Sequence, residues 1–323
     1  MQYRNFGKTG LKVSEVGHGL WGMGSWTDAE DKQSLLALQR SLDLGCNFFD
    51  TAWAYGDGHS ERLLGKLICD NPGKEIIVAS KVPPKNRKWP GSPEDDIQDV
   101  FPVDHIIEYT KRSLDNLGID SLHIQQLHVW DDNWADRPIW QEAAQQLKEE
   151  GLIQFFGISL NRWEPWNGLK AIRTRAVEAV QVIYNIFDQA PYDELFPLCK
   201  ELGVGVIARV PLDEGGLSGN LTEDTKFPKG DWRSGYFGSQ NLGPTVERAK
   251  ALKELLPKGM SLAEMAMRFV LSNSTVSATI PGMRKLEHVE ENIKLSDGKG
   301  LPSKLIEVLR EHRWDRKVAP WSA

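Results

Sequence analysis

The hydrophobic and polar positions of this 323-residue chain alternate between short apolar runs and longer amphipathic stretches. A short apolar run bounded by turn residues is typical of a buried strand, whereas an apolar face repeating every three to four residues is typical of a helix. Eight runs therefore predict strands, at residues 16–20, 46–50, 76–81, 123–129, 153–158, 180–184, 204–208 and 277–280.

The amphipathic stretches between these runs predict helices. They lie at residues 28–44, 59–69, 104–117, 138–150, 164–175, 193–202 and, in two parts, 245–272. The first is expected to begin after a Thr27 cap and to end at Gly45. Strands alternating with helices indicate βαβ units and a parallel sheet. Eight such units without a linker predict an α/β fold in which residues 1–323 form one (β/α)8 TIM barrel.

Three segments do not fit the alternation of strands and helices. Gln2–Phe6 and Lys12–Val16 flank a Gly-Lys-Thr-Gly turn, which predicts an N-terminal β-hairpin outside the barrel. Residues 82–103 and 213–244 are too long to be simple connections. Each follows a predicted strand, so we expect both loops at the C-terminal face, where barrel enzymes carry their sites.

Composition and charge narrow the class of protein. Lys plus Arg number 39 and Asp plus Glu 45, for a net charge of −6. Because no basic patch is evident, neither nucleic acid nor an anionic membrane is an expected partner. Cys46, Cys69 and Cys199 form no CxxC pair, so no disulfide framework or zinc ribbon is indicated. The chain has no apolar signal segment and no run of 18 apolar residues, which predicts a cytoplasmic location.

One glycine motif offers an alternative fold. Residues 17–22 match GxGxxG, but five residues separate this motif from the predicted helix at 28–44. A dinucleotide-binding fold needs that helix to begin within the glycine loop, so the barrel is favoured over it. The histidines lack HxxxH or HExxH spacing, and no metal site is expected.

Four polar residues combine into a possible catalytic group. Asp50 and Lys81 close predicted strands, His128 lies near the end of another, and Tyr55 follows Asp50 in its loop. The carboxyl ends of parallel strands meet at one rim of a barrel, so these side chains are expected to converge. A nearby ammonium favours the phenolate of Tyr55 and lowers its pKa from about 10, while a carboxylate orients the lysine. This set suits acid catalysis on a carbonyl, with a hydride supplied from elsewhere.

Several segments carry a resemblance to a known family. Residues 47–56 read Asn-Phe-Phe-Asp-Thr-Ala-Trp-Ala-Tyr-Gly and match the pattern N-x-(F/I)-D-T-A-x-x-Y-G. Further matches are Val78–Lys81, Gln126–His128, Gly157–Ser159, Gln181–Asn185, Ile280–Gly282 and Glu291–Asn292. Over nearly its whole length the chain resembles the aldo-keto reductases. The resemblance implies a (β/α)8 barrel that binds NADPH without a Rossmann fold. It implies Tyr55 as general acid, Lys81 and Asp50 as its tuning pair, and His128 as the group that orients the carbonyl.

The same resemblance implies a set of cofactor contacts. Ser159 and Gln181 would bind the nicotinamide carboxamide, and segment 211–219 would wrap the pyrophosphate with backbone amides. The residues of that segment placed in contact are Pro211, Leu212, Gly216, Leu217 and Gly219. At the adenosine end the expected residues are Gly282, Arg284, His288, Glu291 and Asn292. Arg284 is the candidate for the 2′-phosphate, whereas His288 replaces an arginine of some members and weakens the preference for NADPH over NADH.

Two positions depart from the family pattern on the cofactor side. Leu160 follows Ser159, and the asparagine comes one position later at Asn161, which leaves open whether an asparagine contacts the carboxamide. Arg209 stands where many members carry an aromatic residue. A planar guanidinium stacks on rings, so Arg209 is predicted to stack on the nicotinamide.

The substrate side is rich in tryptophan. Trp21, Trp53 and Trp130 follow predicted strands, as do Trp134 and the pair Asp131 and Asp132. Tryptophans beside carboxylates suit a sugar or polyol and equally an aromatic aldehyde, and both remain open.

Two hypotheses about function follow. The leading one is an NADPH-dependent oxidoreductase that reduces an aldehyde or ketone to an alcohol, or catalyses the reverse. The alternative is an NADP(H)-binding regulatory or sensor subunit with little turnover, because the family includes potassium-channel β subunits. Substrate identity, direction and oligomeric state remain open.

Overall fold

In the computed structural model, which describes residues 1–24, 30–238 and 240–316, the predicted hairpin and all eight predicted strands are present. The hairpin pairs β1 (Tyr3–Asn5) with β2 (Lys12–Ser14) in antiparallel orientation. The eight-stranded sheet consists of β3 (His18–Gly19), β4 (Phe48–Asp50), β5 (Ile77–Val82), β6 (Leu122–Leu127), β7 (Ile153–Ser159), β8 (Ala179–Ile183), β9 (Gly205–Arg209) and β10 (Val276–Thr279).

Every strand of this sheet is parallel to its neighbours, and the spatial order from β3 to β10 follows the chain. The first and last strands meet through parallel bridges between Val16 and Thr279 and between Gly19 and Gly282. A Cβ on Gly19 would lie 2.6 Å from the carbonyl oxygen of Ile280. The glycines of the GxGxxG motif therefore allow the sheet to close, and the dinucleotide-fold alternative is wrong.

Helices cover the outside of the sheet. They are α1 (Trp21–Gly24), α2 (Asp31–Asp43), α3 (His59–Asp70), α4 (Ile97–Val100), α5 (Val103–Leu117), α6 (Ile139–Glu149), α7 (Leu169–Arg173), α8 (Leu195–Leu202), α9 (Arg233–Tyr236), α10 (Leu242–Lys253), α11 (Leu262–Leu271), α12 (Leu286–Ile293) and α13 (Ser303–Arg310). Short 3-10 helices occur at Asp132–Trp134, Ala190–Tyr192 and Asp213–Ser218. Within the described ranges, none of the helices combines the length and apolar character that crossing a membrane requires.

Helix ends follow local chemistry. Helix α5 ends because Gly118 adopts a left-handed φ of 66°, and its N–H closes the last turn on Asp115. Helix α7 begins at Leu169 instead of the predicted 164, because Asn167 there folds back onto the loop that follows β6. The predicted cap Thr27 lies outside the described residues.

Side chains inside the barrel change character along each strand. An apolar cluster that we call the barrel floor fills the amino-terminal half; it includes Phe6, Phe48, Ile77, Ala79, Ile124, Ala179, Ile207 and Ala278. Alternate strand residues face the same side, so the residues two positions further on also point inward. These form what we call the barrel mouth: Asp50, Lys81, Gln126, Gln181 and Arg209.

Candidate active site

The carboxyl ends of β4 and β5 place three of the four predicted catalytic residues in direct contact. The Nζ atom of Lys81 donates to Oδ1 of Asp50 at 2.7 Å and to the carbonyl oxygen of Thr51 at 2.7 Å. The same atom lies 3.4 Å from the phenolic oxygen of Tyr55. The ring of His128 stands edge-on to that of Tyr55, with 5.6 Å between centroids. The predicted convergence of these side chains is therefore present.

Close backbone contact positions Tyr55 in its turn. Helix α1 presses against this turn, and a Cβ on Gly24 would lie only 2.4 Å from the carbonyl carbon of Tyr55. Gly56 has a φ of 70°, and a Cβ there would lie 2.2 Å from the oxygen of Gly24. Larger residues at either position would push the two segments apart, so these glycines fix the location of the phenol.

Burial sets the protonation states of the phenol and the imidazole. It raises the pKa of Tyr55 above its ordinary 10, although the positive charge of Lys81 works in the opposite direction. The prediction of a net lowered pKa for Tyr55 is therefore wrong, because desolvation outweighs the ammonium. Burial also holds the pKa of His128 well below 6.5, and Lys81 and Arg209 lower it further. At neutral pH this places a protonated phenol next to an uncharged imidazole.

The lysine and the aspartate stabilise each other. Burial lowers the pKa of Lys81, but attraction to Asp50 and Tyr55 outweighs that effect, so its pKa lies above the usual value. Burial raises the pKa of Asp50, and the ammonium of Lys81 opposes the shift. The ammonium thus remains charged beside the phenol.

Two further inward residues leave polar atoms available at the mouth. Ser159, the last residue of β7, is the register partner of Gln181 in the middle of β8. Oε1 of Gln181 is buried, and it has no hydrogen-bond partner among the described residues. Nε of Arg209 is likewise buried without a hydrogen-bond partner in the described part of the chain, whereas its Nη2 donates to the carbonyl oxygen of Leu160 at 3.1 Å. Burial and the nearby Arg162 lower the pKa of Arg209 to about 10. A free acceptor and a free donor together fit a ligand that carries an amide group.

Segment 211–219 has a backbone suited to close approach. Asp213, Glu214 and Gly215 have left-handed φ values of 47°, 55° and 107°. A Cβ on Gly216 would lie 2.5 Å from the carboxylate of Asp213 and 2.7 Å from Cγ2 of Thr245, so a larger residue would displace these side chains. Leu217 is fully buried in the core. We therefore expect Leu217 to present only its backbone to any ligand.

A buried ion-pair network holds this segment, and sequence reasoning missed it. Nη2 of Arg316 donates to Oδ1 of Asp213 at 2.7 Å and pairs with Asp188 as well. The hydroxyl of Tyr236 donates to the same Oδ1 at 2.6 Å. The partners lie from 23 to 128 positions apart, which no local pattern indicates.

The adenosine-side candidates lie around the start of α12. Gly282 forms the bridge to Gly19, and Arg284 precedes the helix by two residues. His288 follows one turn later; burial lowers its pKa, and Arg284 is close enough to contribute to that shift. In the same helix Glu291 is exposed and Asn292 is buried. Their assignment to the cofactor stays a prediction.

Comparison with known proteins identifies the family. The model of the aldo/keto reductase family matches residues 15–313. This chain belongs to that family. An uncharacterized oxidoreductase of Bacillus subtilis, YqkF, is 30% identical over 315 residues, which cover 97% of this chain and 96% of that protein. A probable voltage-gated potassium channel subunit beta of Oryza sativa is 28% identical over 92% of each chain. The solved structure of a glycerol dehydrogenase of Gluconobacter oxydans aligns with a TM-score of 0.80, at 25% identity over 98% of each chain.

Membership of the aldo/keto reductase family and the oxidoreductase relatives support a role in carbonyl oxidoreduction. The comparisons leave the choice of nicotinamide nucleotide and of substrate open.

The structure corrects the predicted substrate pocket of this aldo/keto reductase at Trp130 and Asp131. Trp130 has no exposed surface and Trp134 is 2% exposed, so both belong to the core. Asp131 accepts from the backbone N–H of Asn133 and caps a 3-10 turn. Asp132 accepts from Nε1 of Trp130 at 2.9 Å and from backbone N–H groups at the start of α7. These tryptophans and aspartates therefore support the substrate pocket from behind and do not line it.

The other two predicted tryptophans differ from each other. Trp21 is half-buried and meets Trp232 of the 213–244 loop edge-on, with centroids 4.9 Å apart. Trp53 packs against Tyr109 of α5 at 4.7 Å. Trp21 thus lies where the loop reaches across from β9, and Trp53 is directed toward a helix.

Trp89 and Asn161 contribute to the site in ways that were not predicted. Trp89 stands at 90° to the ring of His128, 4.6 Å between centroids. Asn161 accepts from the N–H of Gly91 and donates to its carbonyl oxygen, so both of its amide atoms have partners within the protein. The sequence feature that could have indicated Trp89 is its position in the long loop 82–103, directly after the strand that carries Lys81.

Proposed function

We propose that this protein is an NADP(H)-dependent oxidoreductase that reduces an aldehyde or ketone to an alcohol, or catalyses the reverse reaction, with Tyr55 as the proton donor. The observation that carries the proposal is the position of the Lys81 ammonium, 2.7 Å from Asp50 and 3.4 Å from the phenolic oxygen of Tyr55. Because burial keeps the phenol protonated, Tyr55 holds a proton at the place where a carbonyl oxygen would receive it.

Each of the other three catalytic candidates has a role in this proposal. Lys81 stabilises the phenolate that remains when Tyr55 gives up its proton, and Asp50 keeps Lys81 charged and oriented. His128, as a neutral imidazole, donates to a substrate carbonyl oxygen, or accepts from the hydroxyl of an alcohol in the reverse reaction, and so orients that oxygen. When bound, the nicotinamide supplies the hydride that these side chains cannot provide.

The proposed cofactor contacts rest on the unpaired atoms of Gln181 and Arg209 and on the position of Ser159 beside Gln181. Oε1 of Gln181 and the hydroxyl of Ser159 would hold the carboxamide, and Arg209 would face the nicotinamide ring. Segment 211–219 would receive the pyrophosphate on its backbone N–H groups. Arg284 supplies the cation for a 2′-phosphate, since the lowered pKa of His288 leaves that imidazole uncharged at neutral pH. NADPH is accordingly proposed over NADH.

The test replaces the phenol. Tyr55→Phe should reduce aldehyde turnover by about 10²- to 10⁴-fold, the usual contribution of a general acid, while NADPH affinity changes by less than about twofold. Tyr192→Phe is the control, because Tyr192 is a half-exposed tyrosine that bonds to Arg310. Stopped-flow oxidation of NADPH measures turnover, and quenching of nucleotide fluorescence measures affinity. Wild-type turnover in Tyr55→Phe would remove Tyr55 from the mechanism.

The similarity to a potassium-channel β subunit favours one alternative, a cofactor-binding regulatory subunit. A screen of aliphatic, aromatic and sugar carbonyls separates the two functions. Tight NADPH binding without turnover of any compound, together with a stable protein partner, would support the regulatory function.

A further inference from the structure

Trp89 is an exposed aromatic residue that stands beside the catalytic centre. Its ring meets the ring of His128 edge-on, at 4.6 Å and 90°. Nevertheless 42% of its surface is exposed. A tryptophan ring that touches the proposed carbonyl-orienting residue and keeps a free face is placed to contact whatever is attached to the carbonyl carbon.

The segment that carries Trp89 is fixed at several points. Asn161 accepts from the N–H of Gly91 at 3.2 Å and donates to its carbonyl oxygen at 2.9 Å. At the base of the loop, the N–H of Lys85 donates to Val100 at 2.9 Å. These bonds hold the backbone on both sides of Trp89, so little conformational freedom remains to be lost when a ligand binds.

The buried tryptophans after β6 form the base beneath this segment. A Cβ on Gly91 would lie 3.1 Å from Trp134 and 3.2 Å from the backbone of Trp130, so the glycine lies directly on them. Nε1 of Trp134 donates to the carbonyl oxygen of Asp95 at 2.8 Å. Trp130 and Trp134 thus support the loop at Gly91 and Asp95, on the carboxyl-terminal side of Trp89.

The same arrangement removes the carboxylates that would recognise a sugar. Asp131 and Asp132 are occupied by capping bonds and by the indole of Trp130. A polyhydroxylated chain lying against this side of the site would need such acceptors there, and burying its hydroxyls without partners is costly. On the His128 side, the wall that Trp89 presents is a flat apolar surface.

We propose that Trp89 is a specificity-determining residue, and that its free face packs against an aryl ring attached to the carbonyl carbon of the substrate. The inference rests on the proposed function and adds a substrate class to it: aromatic carbonyl compounds are preferred over polyhydroxylated ones.

The experiment compares kcat/KM for three aldehydes: benzaldehyde, propanal and glyceraldehyde. In the wild type, benzaldehyde should have the highest value. Trp89→Ala should lower kcat/KM for benzaldehyde by about 10- to 100-fold, within the range of one pocket contact, and change the value for propanal by less than about threefold. Trp89→Phe should recover most of the benzaldehyde activity because it restores a flat ring.

Trp166→Ala is the matched control, since Trp166 is a tryptophan with 57% exposure on a different loop. It should leave all three values unchanged. NADPH affinity and the midpoint of thermal unfolding of Trp89→Ala should equal those of the wild type, which separates loss of a contact from loss of the loop.

Three results would overturn the inference: an equal loss for all three aldehydes, no loss for benzaldehyde, or a wild-type preference for glyceraldehyde. If Tyr55→Phe abolishes turnover while Trp89→Ala behaves as wild type, the proposed function stands and only this inference fails. If Tyr55→Phe keeps full turnover, the proposed role of Tyr55 fails regardless of the Trp89 result.

Discussion

The barrel floor and the barrel mouth are built on the same strands, two residues apart, yet they have opposite chemistry. Phe48 of the floor precedes Asp50, and Ala79 precedes Lys81. On the floor every side chain is apolar, and Phe6 closes the end so tightly that a Cβ on Gly205 would lie 2.2 Å from its ring. At the mouth the side chains are polar or charged. One half of the interior therefore stabilises the barrel, and the other half is available for ligands.

Unpaired polar atoms mark this difference most clearly. Within the described ranges, hydrogen-bond partners are lacking for Oδ2 of Asp50, both amide atoms of Gln126, Oε1 of Gln181, Nδ1 of His128 and Nε of Arg209. Each buried unpaired group costs about 1–3 kcal/mol. A fold tolerates this at a site where a ligand provides the missing partners, and sequences retain such costs mainly where function needs them.

The largest expected effect comes from opening the floor. Phe6→Ala should lower the free energy of unfolding by about 3–5 kcal/mol, because a fully buried phenyl ring leaves a cavity. NADPH affinity and kcat of the folded fraction should stay unchanged. Urea unfolding followed by circular dichroism measures the loss. Tyr3→Phe, on the same hairpin but 49% exposed, should cost about 1 kcal/mol for its bond to Gly45. A loss below 1 kcal/mol for Phe6→Ala would contradict the role of the floor.

A smaller effect of opposite sign is expected at the mouth. Gln126→Leu should raise the free energy of unfolding by about 1 kcal/mol, since an amide without partners is replaced by an apolar group of similar shape. Turnover should fall, because the mouth loses a polar group. The neighbouring Gln125 is the control: it donates to Thr110 at 3.0 Å, so Gln125→Leu should destabilise the protein. Destabilisation by Gln126→Leu would show that its amide is partnered in solution.

The smallest effect concerns pH, because the pKa values of Tyr55 and His128 are both shifted away from neutrality. Burial raises the pKa of Tyr55 above 10, so the phenol keeps its proton until the pH rises past that value. The pKa of His128 lies well below 6.5, so the imidazole stays neutral until the solution is clearly acidic. Reduction measured by NADPH oxidation should therefore be flat between about pH 6 and 9 and fall only above about 10. A fall centred near pH 7 would contradict these protonation states.

The pattern of the chain was sufficient to predict the eight strands, the hairpin and the convergence of the four catalytic candidates, whereas helices α12 and α13 were not among the predicted stretches. Strand and helix periodicity depends on neighbouring residues, so it located the eight strands and the hairpin within a few residues. Because a parallel barrel brings all carboxyl strand ends to one rim, Asp50, Tyr55, Lys81 and His128 could be grouped without coordinates. Gly17 and Gly19 match a dinucleotide-binding motif, but in the structure they allow the close packing with which the sheet closes.

Burial and long-range contacts were decided by tertiary packing. Trp130 and Trp89 are both tryptophans in loops after strands, and only packing makes one a buried support and the other an exposed wall. The sign of the Tyr55 pKa shift depends on how much water the fold removes, and the partners of Arg316 are distant in the chain. Local patterns encode which face of an element is apolar, whereas desolvation and contacts between distant residues exist only once the elements have packed together.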